Sequence, residues 1–430
     1  MKYIGDFHIH SHFSRATSRD MNIEELDKWA RIKGVNILGT GDFTHPRWLR
    51  ELRDKLTPAE EGLYKFKNGK SPIRFILTVE VSSIYSEGGR VRRIHNIIFA
   101  PSFDAVAKIN KRLSEVGNLR ADGRPILGLP ARELIKIALD ASEQCLLVPA
   151  HAWTPWFSVF GSKSGYDSIE ECFGEMSKYI YAIETGLSSD PSMNWRLSKL
   201  DGVTLISNSD CHSASRIGRE ANVFEGEDFG NGKSEPNYED IINAIKYSRV
   251  SKGKNLRFKL SETIEFFPEE GKYHYDGHRL CRVSLKPEDS RKIKQICPKC
   301  GKPFTVGVLS RVEELADRPK GARPKNAIPF KNLVPLAEII GGALGIGPKT
   351  KGVAKEYNKL VEYFGNEFSV LLDADLKDAA LVSLPEISEG LRRVRKGELD
   401  IEPGYDGEYG KVGIFKDAEK RRKTSQAKLF

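Results

Sequence analysis

The chain has 430 residues, with 68 Lys+Arg against 59 Asp+Glu, a formal charge of +9, and is 39% hydrophobic and 30% charged. That is the composition of a folded, water-soluble chain of several domains; it excludes collagen-like, mucin-like and wholly disordered classes. No apolar stretch approaches the ~20 residues that span a bilayer, and no apolar leader follows Met1, so a cytoplasmic location is expected. Six cysteines are too few for a disulfide framework, and Cys281, Cys297 and Cys300 crowd together in a way that favours a metal. Scarce Gln and Met beside abundant Lys and Glu point towards a thermophile.

The first 255 residues alternate β-rich runs with amphipathic helices. Strands are predicted over 3–9, 35–39, 73–81, 94–100, 146–150, 179–184 and 203–207, and helices over 23–33, 131–143 and 237–247. Asn22 stands as N-cap with Glu25 three residues on, as in a capping box. Such alternation argues for a parallel α/β barrel or a doubly wound sheet. A linker at 268–272 leads into a cysteine-bearing module that closes near 317–321, and an α-rich segment follows over 330–397. The expected boundaries are 1–255 for the barrel, 256–324 for the module, 325–400 for the helices and 401–430 for a basic tail.

Charge is concentrated late in the chain. Residues 1–255 carry a net +2 and 256–430 a net +7, and within 279–331 there are 14 basic against 5 acidic side chains. That local excess is a footprint for a polyanion, because Lys/Arg–phosphate contacts dominate nucleic-acid affinity.

Most of the nine histidines fall at predicted strand ends. His8 and His10 form an H-x-H pair, Asp42 and His45 follow the second strand, and Glu80 ends the third. His95 lies on the next strand, His151 ends another, and Asp210 and His212 form a D-x-H pair. In a barrel the C-terminal strand ends converge on one face, so these residues meet although they are far apart in sequence. Imidazoles with carboxylates suit Zn²⁺, Mn²⁺ or Fe, and one carboxylate can bridge two ions.

This order of motifs resembles the PHP (polymerase and histidinol phosphatase) superfamily over residues 1–255. The resemblance implies a distorted (β/α)7 barrel holding up to three metals for phosphoester hydrolysis. PHP members commonly show Thr-Asp-His after the second strand; here Phe43 stands where that His would be, leaving Asp42 or the displaced His45 for a third metal.

His278-x-x-Cys281 followed by Cys297-Pro-x-Cys300-Gly is a zinc-ribbon pattern, four N/S donors for a closed structural site. His274 is the rival fourth ligand. Farther on, residues 344–348 (Leu-Gly-Ile-Gly-Pro) between two helical patterns resemble a helix-hairpin-helix, with a degenerate copy at 384–388. In that motif a helix N-terminus faces a DNA phosphate, which would put Lys349, Lys351, Arg392 and Arg393 near the backbone. An ordinary helical bundle is the competing account. At the end of the chain Gln426, Leu429 and Phe430 are similar to part of a sliding-clamp peptide.

Taken together, the barrel motifs, the ribbon, the segment 306–319 and the helical end resemble endonuclease Q, a family of archaeal and bacterial repair enzymes, over almost the whole chain. The resemblance implies a nucleoid-associated enzyme that cuts damaged DNA on the 5′ side of uracil, hypoxanthine, xanthine or an abasic site. It implies two or three divalent metals in the barrel (Zn, Mn or Mg) and one structural zinc. Glu80 would bridge two metals, with His8, His10 and Asp210 on one and His95 and His151 on the other; Glu80, Asp210 and His212 are the candidate catalytic groups. Asp42, His45 or His212 would hold a third metal or protonate the leaving oxygen. A pocket for a flipped base needs a stacking wall and a donor–acceptor pair, and Trp153, Trp156, Thr185, Gly186 and Ser188 are placed to supply them. A small-molecule phosphatase and a non-catalytic DNA adaptor are the competing functions; neither accounts for both the donor series and the basic appendages.

Overall fold

The computed structural model describes residues 1–67, 71–226, 235–249 and 256–415; the clamp-like Gln426, Leu429 and Phe430 lie outside the described residues. All the predicted barrel strands form. Lys2–Asp6 pairs in parallel with Ile37–Gly39, and Ile37–Gly39 in parallel with Arg74–Glu87. The barrel then departs from the parallel pattern. Arg74–Glu87 turns at Gly88 and Gly89 into Arg90–Ala100, its antiparallel partner, which in turn pairs antiparallel with Leu146–Pro149. A hairpin here replaces the crossover helix that a parallel pair would need. Ala182–Glu184 and Thr204–Ile206 pair in parallel, and Ala221–Gly226 returns antiparallel onto Lys2–Asp6. Side chains stitch the ring where strands are short: Asn208 Oδ1 accepts from Phe7 N at 2.9 Å, and Asn222 Oδ1 from Ser207 N at 3.0 Å.

Strand alternation fills the barrel. Tyr3 and Phe7 point inward with Ile37, Ile76, Ile97, Phe99, Val148 and Phe224, whereas Ile4 packs on the opposite face. Phe7 meets Phe99 edge-on, with ring centroids 5.5 Å apart. Helix Ile23–Lys33 starts at the expected N-cap, Asn22 accepting from Glu25 N at 3.0 Å, with acids in its first turn and bases in its last, but the Glu25 carboxylate bonds Lys28 instead of closing a capping box. Tyr238–Tyr247 opens with a reciprocal capping box between Asn237 and Asp240.

The sheet continues past the expected boundary at 255. Phe258–Glu265 pairs antiparallel with Ala221–Gly226, and Phe330–Asn332 adds in parallel on its far edge. Between them the Cys module forms one small hairpin, Asp276–His278 with Val283–Leu285, and the short helix Pro287–Lys292. Its own buried cluster is only Val283, Cys297 and Phe304.

Helices Leu336–Leu344, Lys351–Phe364, Leu376–Val382 and Pro385–Lys396 make up the α-rich end. A buried latch ties it to the barrel: Lys33 Nζ and Tyr357 Oη each donate to Glu367 Oε2 at 2.5 Å. The chain then returns through Asp400–Glu402 and Lys411–Gly413 to lie against the linker. Among the described residues, no helix is long and apolar enough to cross a membrane.

Candidate metal centre and active site

Glu80 sits in the middle of the strand ends, and its two oxygens face different partners. Oε1 lies 2.5 Å from His95 Nδ1 and 3.0 Å from His151 Nε2. Oε2 lies 3.3 Å from His10 Nε2 and 3.5 Å from His8 Nε2. Asp210 Oδ1 is 3.1 Å from His10 Nε2 and 3.6 Å from His8 Nε2. Ligand-type atoms thus gather into two groups that share Glu80: His8, His10, Glu80 and Asp210, and Glu80, His95 and His151, with the atoms of each within 4.8 Å of one another. This is the division expected from the sequence.

The donor set fits a pair of cations on two further counts. His8 Nε2 is buried at the centre with no hydrogen-bond partner, a state that costs free energy unless something else fills it. The second ring nitrogens are fixed from behind. His8 Nδ1 lies 3.1 Å from Glu184, which also accepts from His151 N at 2.8 Å and from Asn208 Nδ2 at 2.9 Å. His10 Nδ1 lies 3.1 Å from Asp42. Carboxylates behind metal-binding histidines set tautomer and ring orientation.

Electrostatics without cations are correspondingly strained. Burial opposes charge on His8, yet Glu184, Asp210 and Glu80 outweigh it and hold its pKa well above the ordinary value. Burial likewise opposes ionisation of Glu80, but His95, Arg124 and His8 pull its pKa well below the usual range. For His95 burial outweighs the pull of Glu80 and lowers the pKa to about 4. Backbone strain accumulates at the same place: Asp42, His151 and Asp210 have φ of 51°, 28° and 44°, left-handed values that non-glycine residues adopt at a cost. Gly186 permits this packing. Its own φ is +63°, and a Cβ there would lie 2.5 Å from the His151 Cβ.

The remaining candidates fall elsewhere. Asp42 is outside both groups; besides His10 it accepts from Ser11 N at 2.7 Å, Ser11 Oγ at 2.6 Å and Ser14 Oγ at 2.8 Å. His45 is buried, stacked on Phe13 at 4.3 Å, with Nδ1 unpartnered. His212 lies beside the centre, its ring 4.5 Å from that of His10 and Nδ1 3.1 Å from the Asp210 carbonyl. Phe43 is fully buried.

A cavity of about 630 Å³ opens beside His95, His151 and Asp210. Trp156, Gly186 and Ser188 line it, as expected, together with Phe157, Leu187 and Arg124. Trp153 and Thr185 do not. Trp153 is fully buried and donates its indole N–H to Asn194 Oδ1 at 2.8 Å; Thr185 is buried with its hydroxyl on Glu265 Oε2 at 2.9 Å. Each has its polar group on a partner far away in sequence. Arg124 was not foreseen. Its guanidinium bonds Glu80 Oε2 at 3.0 Å and reaches the cavity from a loop with no recognisable motif. Lys272, Tyr273 and Tyr409 reach the same cavity from outside the barrel.

The Cys module holds a third group: donor atoms of His278, Cys281, Cys297 and Cys300 lie within 4.8 Å of one another. Four N/S donors around so small a core suit a closed structural metal site. His274, the rival, is buried away from this group, and burial lowers its pKa to about 4. In the helical end, Lys349 and Lys351 are exposed at the turn before Lys351–Phe364. Arg392 and Arg393 are not free in the same way: Arg392 bonds Glu389 at 2.7 Å and Glu398 at 2.6 Å, and Arg393 bonds Glu389 at 2.8 Å. A phosphate would have to displace those carboxylates.

Known proteins match both parts and whole. A family profile described as the MJ0043 C-terminal domain matches residues 335–398. The uncharacterized protein MJ0043 of Methanocaldococcus jannaschii is 37% identical over 266 residues, which is 61% of this chain but 31% of that longer protein. Among solved structures, the lesion-specific endonuclease PfuEndoQ from Pyrococcus furiosus superposes with a TM-score of 0.82 at 32% identity, covering 98% of this chain and 97% of that one. Endonuclease Q in complex with a 27-mer duplex substrate, an abasic lesion at its active site, matches with the same score and identity over 97% and 98% of the two chains. With barrel, Cys module and helical end all aligned in one continuous match, the chain belongs to the endonuclease Q family.

Proposed function

We propose that this protein is a metal-dependent DNA endonuclease of lesion repair, cutting the phosphodiester on the 5′ side of deaminated bases (uracil, hypoxanthine, xanthine) and abasic sites. The observation that carries this reading is the Glu80-centred pair of donor groups opening onto a nucleotide-sized cavity. The near full-length likeness to an endonuclease solved on abasic-site DNA supports it.

His8, His10 and Asp210 would hold one divalent ion and His95 and His151 a second, with Glu80 shared between them. Ions bound there would neutralise charge on a phosphodiester and make water a better nucleophile. Asp42, bonded by His10 and two serines, would orient His10 from behind. Arg124, on Glu80 and at the cavity wall, is placed to grip a non-bridging phosphate oxygen. The cavity beside the centre is sized for one extruded nucleotide, and its aromatic lining suits a base face. Zinc in the Cys module would be structural. The flanking duplex needs cations, and Arg90, Lys163 and Lys294 line a hollow of about 760 Å³ between barrel and module. Among the described residues none of the three makes an ion pair, unlike Arg291 beside them, which bonds Glu313.

The test is nicking of end-labelled duplexes that carry one uracil, one hypoxanthine, one abasic site or no lesion, each with Mg²⁺, Mn²⁺ or Zn²⁺. A single nick 5′ of the lesion and none in the control is expected. Hydrolysis of small phosphate esters with no nick in any duplex would contradict the proposal.

A further inference from the structure

One ring at the mouth of the active-site cavity belongs to neither the barrel nor the Cys module. Tyr409 lies between the two terminal strands Asp400–Glu402 and Lys411–Gly413 and lines the cavity, yet it is 70% exposed. The segment around it is tied to the linker. Gly404 N donates to Glu269 O at 2.8 Å, Gly407 N to Lys272 O at 2.9 Å and Gly410 N to Glu270 O at 3.1 Å. A Cβ on Gly410 would lie 2.1 Å from Glu269 O, so the segment docks at a distance that only glycine allows. Asp406, at φ 41°, fastens the other side, accepting from Arg279 N and from Thr305 Oγ1 at 2.6 Å each.

The other cavity rings are already engaged. Trp156 meets Tyr273 edge-on at 5.5 Å, and Phe157 packs on His95 at 4.7 Å. Tyr409 has no ring partner among the described residues; only Lys272 Nζ approaches it, 4.5 Å from the ring centroid. A lone exposed aromatic is ordinarily unremarkable, as Tyr363 on helix Lys351–Phe364 is at 61%. Tyr409 differs because three backbone bonds and a buttressing cation fix its place at the cavity mouth.

We propose that Tyr409 is a stacking residue for the damaged duplex: its ring fills the gap left in the base stack when the lesion nucleotide swings into the cavity. The inference rests on the endonuclease reading above. Extruding a nucleotide sacrifices stacking on both its neighbours, and an aromatic face replaces part of that loss without regard to sequence, since every base has a π-face. Tyr409 acts through the DNA's geometry and touches no reacting atom, so it is a positioning residue.

The test compares wild type, Tyr409→Ala and Tyr409→Phe on one uracil lesion presented in duplex and in single-stranded DNA. Single-stranded DNA has little stack to break, so stacking assistance should appear in the ratio of the two nicking rates. Tyr409→Ala is expected to lower the duplex-to-single-strand ratio about tenfold and Tyr409→Phe to keep it within about twofold. A 2-aminopurine beside the lesion, in a duplex made non-cleavable by a modified linkage, should brighten on binding Tyr409→Ala and stay quenched with wild type and Tyr409→Phe. An unchanged ratio and unchanged quenching in Tyr409→Ala, with wild type nicking normally, would overturn the inference alone. A wild type that nicks neither substrate would remove the endonuclease reading and this inference with it.

Discussion

The barrel centre and the Cys module both gather metal-type donors, but by opposite means. In the barrel, donors arrive from strand ends spread between His8 and Asp210, and the ring of strands positions them. A layer of carboxylates, Glu184 and Asp42, holds the imidazoles from behind, and one side opens onto a cavity. In the module, all four donors come from 23 consecutive residues around three buried side chains, with Cys300 exposed. The ring of strands positions the barrel donors, whereas the module's donors lie close together in sequence around a small core. A scaffolded centre can leave coordination positions open for a substrate; a closed four-donor group substitutes for a core too small to stand alone.

The largest effect that separates them is expected from Asp210→Ala. Nicking should fall by more than about 10³-fold, the scale on which groups at a reacting centre act, while affinity for lesion duplexes stays near wild type. Equal loss of binding would make Asp210 structural. Glu184→Gln is expected to act more gently, lowering metal affinity or activity by about 10–100-fold through loss of support for His8 and His151. Isothermal titration with Mn²⁺ would show that; unaltered affinity and rate would mean the carboxylate only packs. Cys297→Ser should do the reverse of the barrel variants. It is expected to release one ion and melt the module in a separate early transition, with the main barrel transition kept, as differential scanning calorimetry would record.

The smallest effect concerns the seam between the two regions. Glu265 ends the sheet strand that leads to the linker, and burial raises its pKa to about 8 despite hydroxyl donors from Thr263, Thr185 and Ser207. The folded state therefore keeps a proton that the unfolded state releases above its ordinary value near 4.5. Stability contributed by this group is thus present at low pH and lost as pH rises from about 4.5 through 8. Glu265→Gln should flatten that decline and raise the melting temperature at pH 8 by about 2–4 °C relative to wild type. A melting curve equally pH-dependent in both proteins would argue against a protonated Glu265.

Much of the barrel centre was legible because its signals are local. An H-x-H or D-x-H pair at the end of an apolar run states both the donor type and its place on the barrel face. What supports those donors was not legible. Glu184 reaches His8 across 176 residues, and Arg124 comes from a loop without a signature. Trp153 and Trp156 look alike in sequence, yet Trp153 is buried against Phe160 with its indole N–H on the distant Asn194. Phe258–Glu265 lies beyond the expected barrel boundary at 255, although its Phe258, Leu260 and Ile264 pattern suits a strand. Arg392 and Arg393 were offered to phosphate, yet Glu389 stands three and four residues before them, the spacing at which a helix pairs charges.

The most direct test of the two-site account is the divalent-metal content of the purified protein, measured with that of Glu80→Ala and Cys297→Ser. Wild type should carry two ions in the barrel and one in the module; Glu80→Ala should keep only the module ion, and Cys297→Ser only the barrel pair. A Glu80→Ala protein that retains the full complement would contradict the account, because no carboxylate would then bridge the barrel centre.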